Sequence, residues 1–288
     1  MENNYGFIGL GQMGHPMATN IVKIFKKLYV HDKTDTLGKT PSGATACYSI
    51  TEISQKADTI FLSLPDGPVS ISVVAEIASA ANNQEKTIID LSTIGPDAAR
   101  KANALSLNSG IIYIDAPVSG GAIGAKNGSI TIMWAGSIEK LNYHKKVLST
   151  FSKNQFHVGN HPGQGQALKI LNNFLSGTAM AATSEAMLYG LSEGLEMKTM
   201  LDVINVSTGQ NTATRDKFPD RILTGTYDAG FKTGLLAKDV LLYLKKVREA
   251  GTPNQISEII SKIWSQCDKA LPKSDITKIY EFLRDNKK

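Results

Sequence analysis

The sequence predicts an α/β protein in two parts: a doubly wound parallel sheet, then an all-α region, joined by one long helix. Three observations carry this. Short apolar runs alternate with helix-length segments through the first half, as βα units require. A glycine turn, Gly9-Leu10-Gly11-Gln12-Met13-Gly14, separates the first run from the first helix. Beyond His161-Pro162-Gly163 the alternation stops and only helical periodicity continues.

The expected strands are Tyr5–Ile8, Leu28–His31, Thr59–Leu64, Thr87–Leu91, Ile111–Ile114, Ser129–Ala135 and Phe156–Val158. Helices such as Met13–Lys26 and Val69–Ala81 fill the gaps. From Gln164 onward helical periods run through Leu168–Leu191, Met197–Val206, Leu235–Val247, Ile256–Trp264 and Ile276–Leu283, with no strand expected. Glycine breaks at Ser207-Thr208-Gly209 and Leu223-Thr224-Gly225 divide some of them. A chain of 288 residues favours two domains, placed at 1–162 and 163–288.

Composition narrows the partners. The chain carries 31 Lys+Arg against 26 Asp+Glu, a net charge of +5. These bases are spread over amphipathic helices, as at Lys23-Lys26-Lys27 and Lys245-Lys246-Arg248, which reads as solvated faces rather than a nucleic-acid surface. A mild positive field also suits a small anionic substrate. No uncharged apolar run approaches the ~18 residues of a membrane span; the stretch Phe174–Leu191 is broken by Glu185 and reads as a buried helix. Neither a leader nor a membrane partner is expected, and Cys47 and Cys267 fit no metal or redox spacing, so free thiols in the cytoplasm and no metal site are the expectation.

The glycine turn matches G-x-G-x-x-G, a pattern that is weak alone and strong between a strand and a helix. Gly9 permits the tight turn, Gly11 lets a pyrophosphate approach the backbone, and Gly14 lets helix pack on strand. The helix N-terminus adds unpaired N–H groups and a partial positive charge. Together with Leu10, Gln12 and Met13 they form the expected Rossmann dinucleotide-binding loop. Asp32 ends the second strand, close to the ~20-residue spacing at which a carboxylate accepts the adenosine ribose hydroxyls. That carboxylate repels a 2′-phosphate and favours NAD; Lys33 beside it can pair with that phosphate, keeping NADP as the alternative. Leu64, Pro65 and Thr93, at the ends of two further strands, are placed toward the nicotinamide half.

Two further segments carry chemistry. Ser119-Gly120-Gly121, after Asp115-Ala116-Pro117-Val118, offers a hydroxyl and two unobstructed N–H groups, a cradle for a carboxylate. Lys169 and Asn173 lie one helical turn apart after Gly163-Gln164-Gly165, with Gly177 on the same stripe leaving room for something to approach. A lysine can move the hydroxyl proton as hydride leaves or arrives, if burial lowers its pKa, while the amide holds the hydroxyl. On residue chemistry alone a flexible loop and a solvated lysine are the commoner readings of these two segments.

These segments together resemble the β-hydroxyacid dehydrogenase family, which includes 3-hydroxyisobutyrate, 6-phosphogluconate and glyoxylate or succinic semialdehyde enzymes. The resemblance rests on Gly6–Gly14 with Pro16-Met17-Ala18 and Asn20; on Asp115–Gly121 with Ala125 and Gly128; on Gly163-Gln164-Gly165 with Lys169 and Asn173; and on Phe231 with Lys238-Asp239. Asp275 and Thr277 close the pattern near the C-terminus. It implies an N-terminal Rossmann domain, a long interdomain helix and an all-α C-terminal domain. It also implies Lys169 as acid/base, Asn173 as substrate hydrogen-bond donor, Ser119, Gly120 and Gly121 at the substrate carboxylate, and Lys238 near cofactor or substrate. Dimers or tetramers through the helical domain follow from the same comparison. Many relatives carry Asn-Arg-Thr where this chain has Asp32-Lys33-Thr34, which leaves the cofactor choice open.

The expected activity is hydride transfer between NAD(P) and a small 3-hydroxy acid or its semialdehyde. An NADPH-dependent short-chain semialdehyde or glyoxylate reductase is the alternative. An imine reductase is disfavoured because those relatives generally replace the lysine. A non-catalytic cofactor-binding module is disfavoured because Lys169, Asn173 and the Ser119 loop are retained together.

Overall fold

The computed structural model describes residues 3–81 and 85–286. Met1 and Glu2, on which the expectation about a leader partly bears, lie outside the described residues. The chain forms two compact units, a first that ends at Lys169 and a second that begins at Ile170. This division falls inside a continuous helix, Gln164–Ser192, rather than at the expected 162/163 position where that helix is entered.

The first unit is a nine-stranded sheet with the order β3-β2-β1-β4-β5-β6-β8-β7, and β9 beside β8. The strands are β1 (Tyr5–Ile8), β2 (Leu28–His31), β3 (Thr45–Ala46), β4 (Thr59–Leu62), β5 (Thr87–Asp90), β6 (Ile112–Asp115), β7 (Val118–Ser119), β8 (Ile130–Ala135) and β9 (Ser152–Gly159). From β3 to β6 all pairings are parallel, and the order is that of a doubly wound dinucleotide fold. β1, β4 and β5 are buried along their whole length, so they read as unbroken apolar runs, with a core on each side of the sheet. Phe7, Phe61, Trp134 and Phe151 fill one face; Ile60, Ile77 and Ile88 fill the other. Helix Gly67–Ala80 starts where the Asp66 carboxylate accepts the Val69 N–H, and Ile138–Leu148 where the Ser137 hydroxyl accepts the Lys140 N–H.

The sheet differs from the expectation at its two margins. β3 and β7 are each two residues long, too short to show alternation, and β7 had read as loop. β8 runs antiparallel to β6 and β7, so the sheet is mixed rather than wholly parallel. β6 and β7 run in one direction along β8, and the chain reverses between Ser119 and Ile130 through the short helix Gly121–Asn127.

The second unit contains no strand among its described residues, apart from an isolated bridge between Lys232 and Asp275. Helices Met197–Ile204, Thr233–Glu249, Gln255–Ala270 and Ile279–Asp285 pack with the remainder of the long helix around Phe218, Val240, Trp264 and Tyr280. A π-helical segment, Ala213–Ile222, occupies the stretch between the two glycine breaks. Pro219 lies within it and supplies no N–H to an α ladder, one reason helical periodicity was illegible there. Among the described residues no helix is long and apolar enough to cross a membrane.

Candidate active site

Parallel pairing in register brings the C-terminal ends of β2, β1, β4, β5 and β6 to one edge, and the sequence-expected cofactor residues collect there. Gly9 has a positive φ of 94°, and its N–H donates to the His31 carbonyl at 2.9 Å. A Cβ at Gly9 would collide with the Ser63 carbonyl, and one at Gly14 with the Gly9 carbonyl. At Gly11 a Cβ would meet nothing within 4 Å. The first and third glycines are therefore fixed by the protein's own packing. The second opens onto free space beside the N-terminus of helix Gly14–Ile24, as close approach by a pyrophosphate demands.

The Asp32 carboxylate is tied into this loop. Its Oδ2 accepts the Leu10 N–H at 2.8 Å, while Oδ1 accepts the Thr34 N–H, the Thr34 hydroxyl at 2.6 Å and the Lys39 ammonium at 2.8 Å. Partial burial pushes this carboxyl up, but the donors from Lys39, Thr34 and Leu10 outweigh it and hold it well below the usual carboxylate range. Lys33 follows in the turn, and Lys39, which sequence reading passed over, pairs with Asp32 from across it.

Just beyond the ends of β4 and β5, the Leu64 N–H donates to the hydroxyl of Ser92, the residue before Thr93, at 2.8 Å. Pro65 follows Leu64 at the same edge. Beneath them Asp90 accepts the Ser92 N–H and the Tyr113 hydroxyl, both at 3.0 Å. The next strand end carries Asp115, whose Oδ2 accepts the N–H groups of Gly163 and Gln166 at 2.9 and 3.1 Å. Burial pushes the Asp115 carboxyl up to about 6, against the pull of the donors from Gln166 and Gly163 and with a further push from nearby Asp90.

These contacts explain the third sequence motif. Gly163 sits at a φ of 95°, and a Cβ on Gly165 would lie 2.6 Å from the Met133 carbonyl oxygen. Only glycine lets the start of the long helix lie this close to the sheet edge. Lys169 follows, 8% exposed, on the stretch of helix that closes the first unit. Ser119 ends β7, pairing with Thr131, and Gly120 and Gly121 both have positive φ, 131° and 64°. A Cβ on Gly121 would meet nothing within 4 Å, so its backbone is open.

In the second unit the Asn173 amide, one turn beyond Lys169 on the same helix, donates to Asp239 Oδ2 at 2.6 Å. Asp239 is 2% exposed on helix Thr233–Glu249, and Lys238 Nζ lies 3.4 Å from its Oδ1. Asp239 stands in a quoted motif, but nothing in the sequence tied it to Asn173. Lys238 lines a shallow groove of about 550 Å³ with Ala237, Leu241, Leu242, Lys245 and Lys269.

Other motif residues serve the scaffold. The Asn20 amide donates to the Ala125 carbonyl at 2.9 Å, pinning two helices. The Asp275 carboxylate accepts the Gly230 and Phe231 N–H groups and the Thr277 hydroxyl. Gly177 does leave room for an approach, but by the core residue Trp264, whose indole N–H donates to the Gly177 carbonyl at 3.1 Å.

A doubly wound sheet with this glycine loop and acidic strand end defines a dinucleotide-binding domain. Residues 4–159 match the model of the NAD-binding domain of 6-phosphogluconate dehydrogenase, and residues 163–283 match that of NADP-dependent 3-hydroxyisobutyrate dehydrogenase. The chain is 35% identical to the 2-(hydroxymethyl)glutarate dehydrogenase of Eubacterium barkeri, over 90% of this chain and 87% of that one. It is 32% identical to the mitochondrial 3-hydroxyisobutyrate dehydrogenase of Drosophila melanogaster, over 99% of this chain and 90% of that one. The solved structure of the Mycobacterium tuberculosis 3-hydroxyisobutyrate dehydrogenase with L-serine superposes with a TM-score of 0.91 at 28% identity, over 99% of this chain and all of that one. The chain belongs to the β-hydroxyacid dehydrogenase family and uses NAD or NADP. Imine reductases share the fold at greater distance.

Proposed function

We propose that this chain transfers a hydride between NAD(P) and a small 3-hydroxy acid or its semialdehyde, with Lys169 moving the proton. The observation that carries this reading is a lysine buried to 8% exposure on a helix whose start is anchored at the cofactor edge of the sheet. When bound at this edge, the nicotinamide would supply the hydride donor or acceptor. In the oxidative direction the substrate hydroxyl proton passes to the Lys169 amine as the C–H bond gives up its electron pair; in reduction the ammonium returns it. Asn173, its amide oriented by Asp239, is the proposed donor to the substrate oxygen. Ser119 and the N–H groups of Gly120 and Gly121 are the proposed cradle for the substrate carboxylate, and Lys238 adds positive charge toward cofactor or substrate.

Residues 1–162 form the proposed cofactor domain and residues 163–288 the proposed substrate and oligomerisation domain, of a cytoplasmic homodimer or homotetramer. Gly9 to Gly14 would cradle the pyrophosphate, Asp32 the ribose, and Leu64, Pro65 and Thr93 the nicotinamide side. Asp32 favours NAD, and the ammonium groups of Lys33 and Lys39 keep NADP within reach. A spectrophotometric panel of NADH and NADPH against 3-hydroxyisobutyrate, 2-(hydroxymethyl)glutarate, glyoxylate and succinic semialdehyde, each in its reactive direction, tests the reading. Turnover of a hydroxy acid or its semialdehyde is expected. Activity confined to cyclic imines, or none with any member, would overturn it.

A further inference from the structure

We propose that Gln166 and Asp115 form a positioning latch that sets where Lys169 stands relative to the loop carrying Thr93. The proposal rests on the acid–base reading of Lys169. Gln166 is fully buried and its amide is saturated. Its Nε2 donates to the Ser92 carbonyl at 2.9 Å and to Asp115 Oδ1 at 2.8 Å. Its Oε1 accepts the Ile94 and Gly95 N–H groups at 2.8 and 3.0 Å. A primary amide has two N–H donors and two lone pairs, so this one side chain uses its whole capacity. No other natural side chain of that length offers the same set: glutamate keeps the acceptors, loses both donors, and sets a second carboxylate against Asp115.

The grip falls on both sides of Thr93. Ser92, Ile94 and Gly95 are held through their main chain, so the backbone on either side of Thr93 is fixed. Asp115 completes the latch from the neighbouring strand, taking two first-turn N–H groups of the long helix on its other oxygen. Two strand ends and the helix start are thereby joined through one amide and one carboxylate, all within the first unit. Lys169 comes three residues after Gln166, about 4.5 Å further along the axis and on nearly the same side. A shift or rotation of the first turn is passed on to the lysine. The glycines at 163 and 165 permit the approach; the latch fixes its register.

A positioning role is separable from a stabilising one by coupling. In single-turnover hydride transfer with saturating cofactor and 3-hydroxyisobutyrate, or whichever panel member turns over fastest, Gln166→Ala should lower the rate by ~10²-fold, the loss that a displacement of about 1 Å can produce. The isosteric Gln166→Glu should lose rate similarly, and it guards against a folding failure of the alanine variant. NADH affinity, read by fluorescence, should change less than ~3-fold in both. In a Lys169→Ala background the same substitutions should change the residual rate less than ~3-fold, because the group being positioned is gone. Equal losses with and without Lys169, or a lowered Tm with unchanged turnover in both variants, would overturn the latch. Near-normal turnover of Lys169→Ala alone would instead overturn the acid–base reading beneath it.

Discussion

The two units make their functional surfaces from different material. In the first, the proposed cofactor edge is mostly backbone: carbonyls and N–H groups at strand ends, spaced by glycines of which Gly9 and Gly14 are demanded by packing and Gly11 is not. In the second, the corresponding work falls to side chains, and the Asn173 amide is oriented by Asp239 from a helix far along the chain. Backbone geometry is written locally, so a motif records it. A side-chain pairing between helices is written in two distant places, and a motif records neither partner's need of the other.

The contrast is most sharply tested at the point where one chemical group is assigned the reaction. Lys169→Ala is expected to reduce turnover by ~10²–10⁴-fold while cofactor affinity stays nearly constant, the range for loss of a general acid–base. Steady-state kinetics with a fluorescence titration of NADH decides it, and a large change in affinity would place the lysine in cofactor binding instead.

The backbone side can be broken at two glycines with opposite outcomes. Gly14→Ala drives a Cβ into the Gly9 carbonyl and should destabilise the first unit by ~1–3 kcal/mol, seen as a fall in Tm. At Gly11 an added Cβ meets nothing within 4 Å, so in Gly11→Ala Tm should hold while NADH binding falls sharply. If both variants lose stability equally, the second glycine does not face a ligand.

Asp115 lends the comparison a pH dependence. Its folded pKa, raised to about 6, exceeds the ordinary carboxylate value, so the folded chain holds the extra proton between roughly pH 4 and pH 6. Its contribution to stability is most favourable below that window and is lost as pH rises through it, by an amount on the order of 1–3 kcal/mol. Asp115→Asn should flatten this component of the Tm profile across the window; an unchanged slope would assign it to other groups. The smallest expected effect is at Lys39. Removing it in Lys39→Ala leaves Asp32 its loop donors but strips a cation from the ribose edge, and should raise the NAD over NADP preference only a few-fold in kcat/KM.

How far the sequence reached follows the same division. The strands of the parallel core, the glycine loop, the Asp32 position and the long helix were legible because each depends on a local pattern of apolarity or glycine. β3 and β7 were not, since two residues carry no periodicity. The π-helical segment around Pro219 was hidden because no apolar repeat marks it. Among site residues Gln166 was passed over although it lies beside a quoted motif. A glutamine on a helix reads as a surface residue until its four distant partners are known. Gly177 shows the converse: room for an approach was foreseen, but the occupant is Trp264 of the protein's own core.

The entry of the long helix has a practical consequence for anyone recombining family members. A junction cut at 162/163 would fall just before Gly163 and Gln166, whose N–H and amide groups satisfy the buried Asp115 carboxylate, and would leave that carboxylate with no donor from its own parent. A severed dinucleotide fragment ending there would lack the Gly163 and Gln166 donors that hold the Asp115 carboxylate. The transferable piece runs through Lys169, so chimeras should exchange the helix start together with the sheet that grips it.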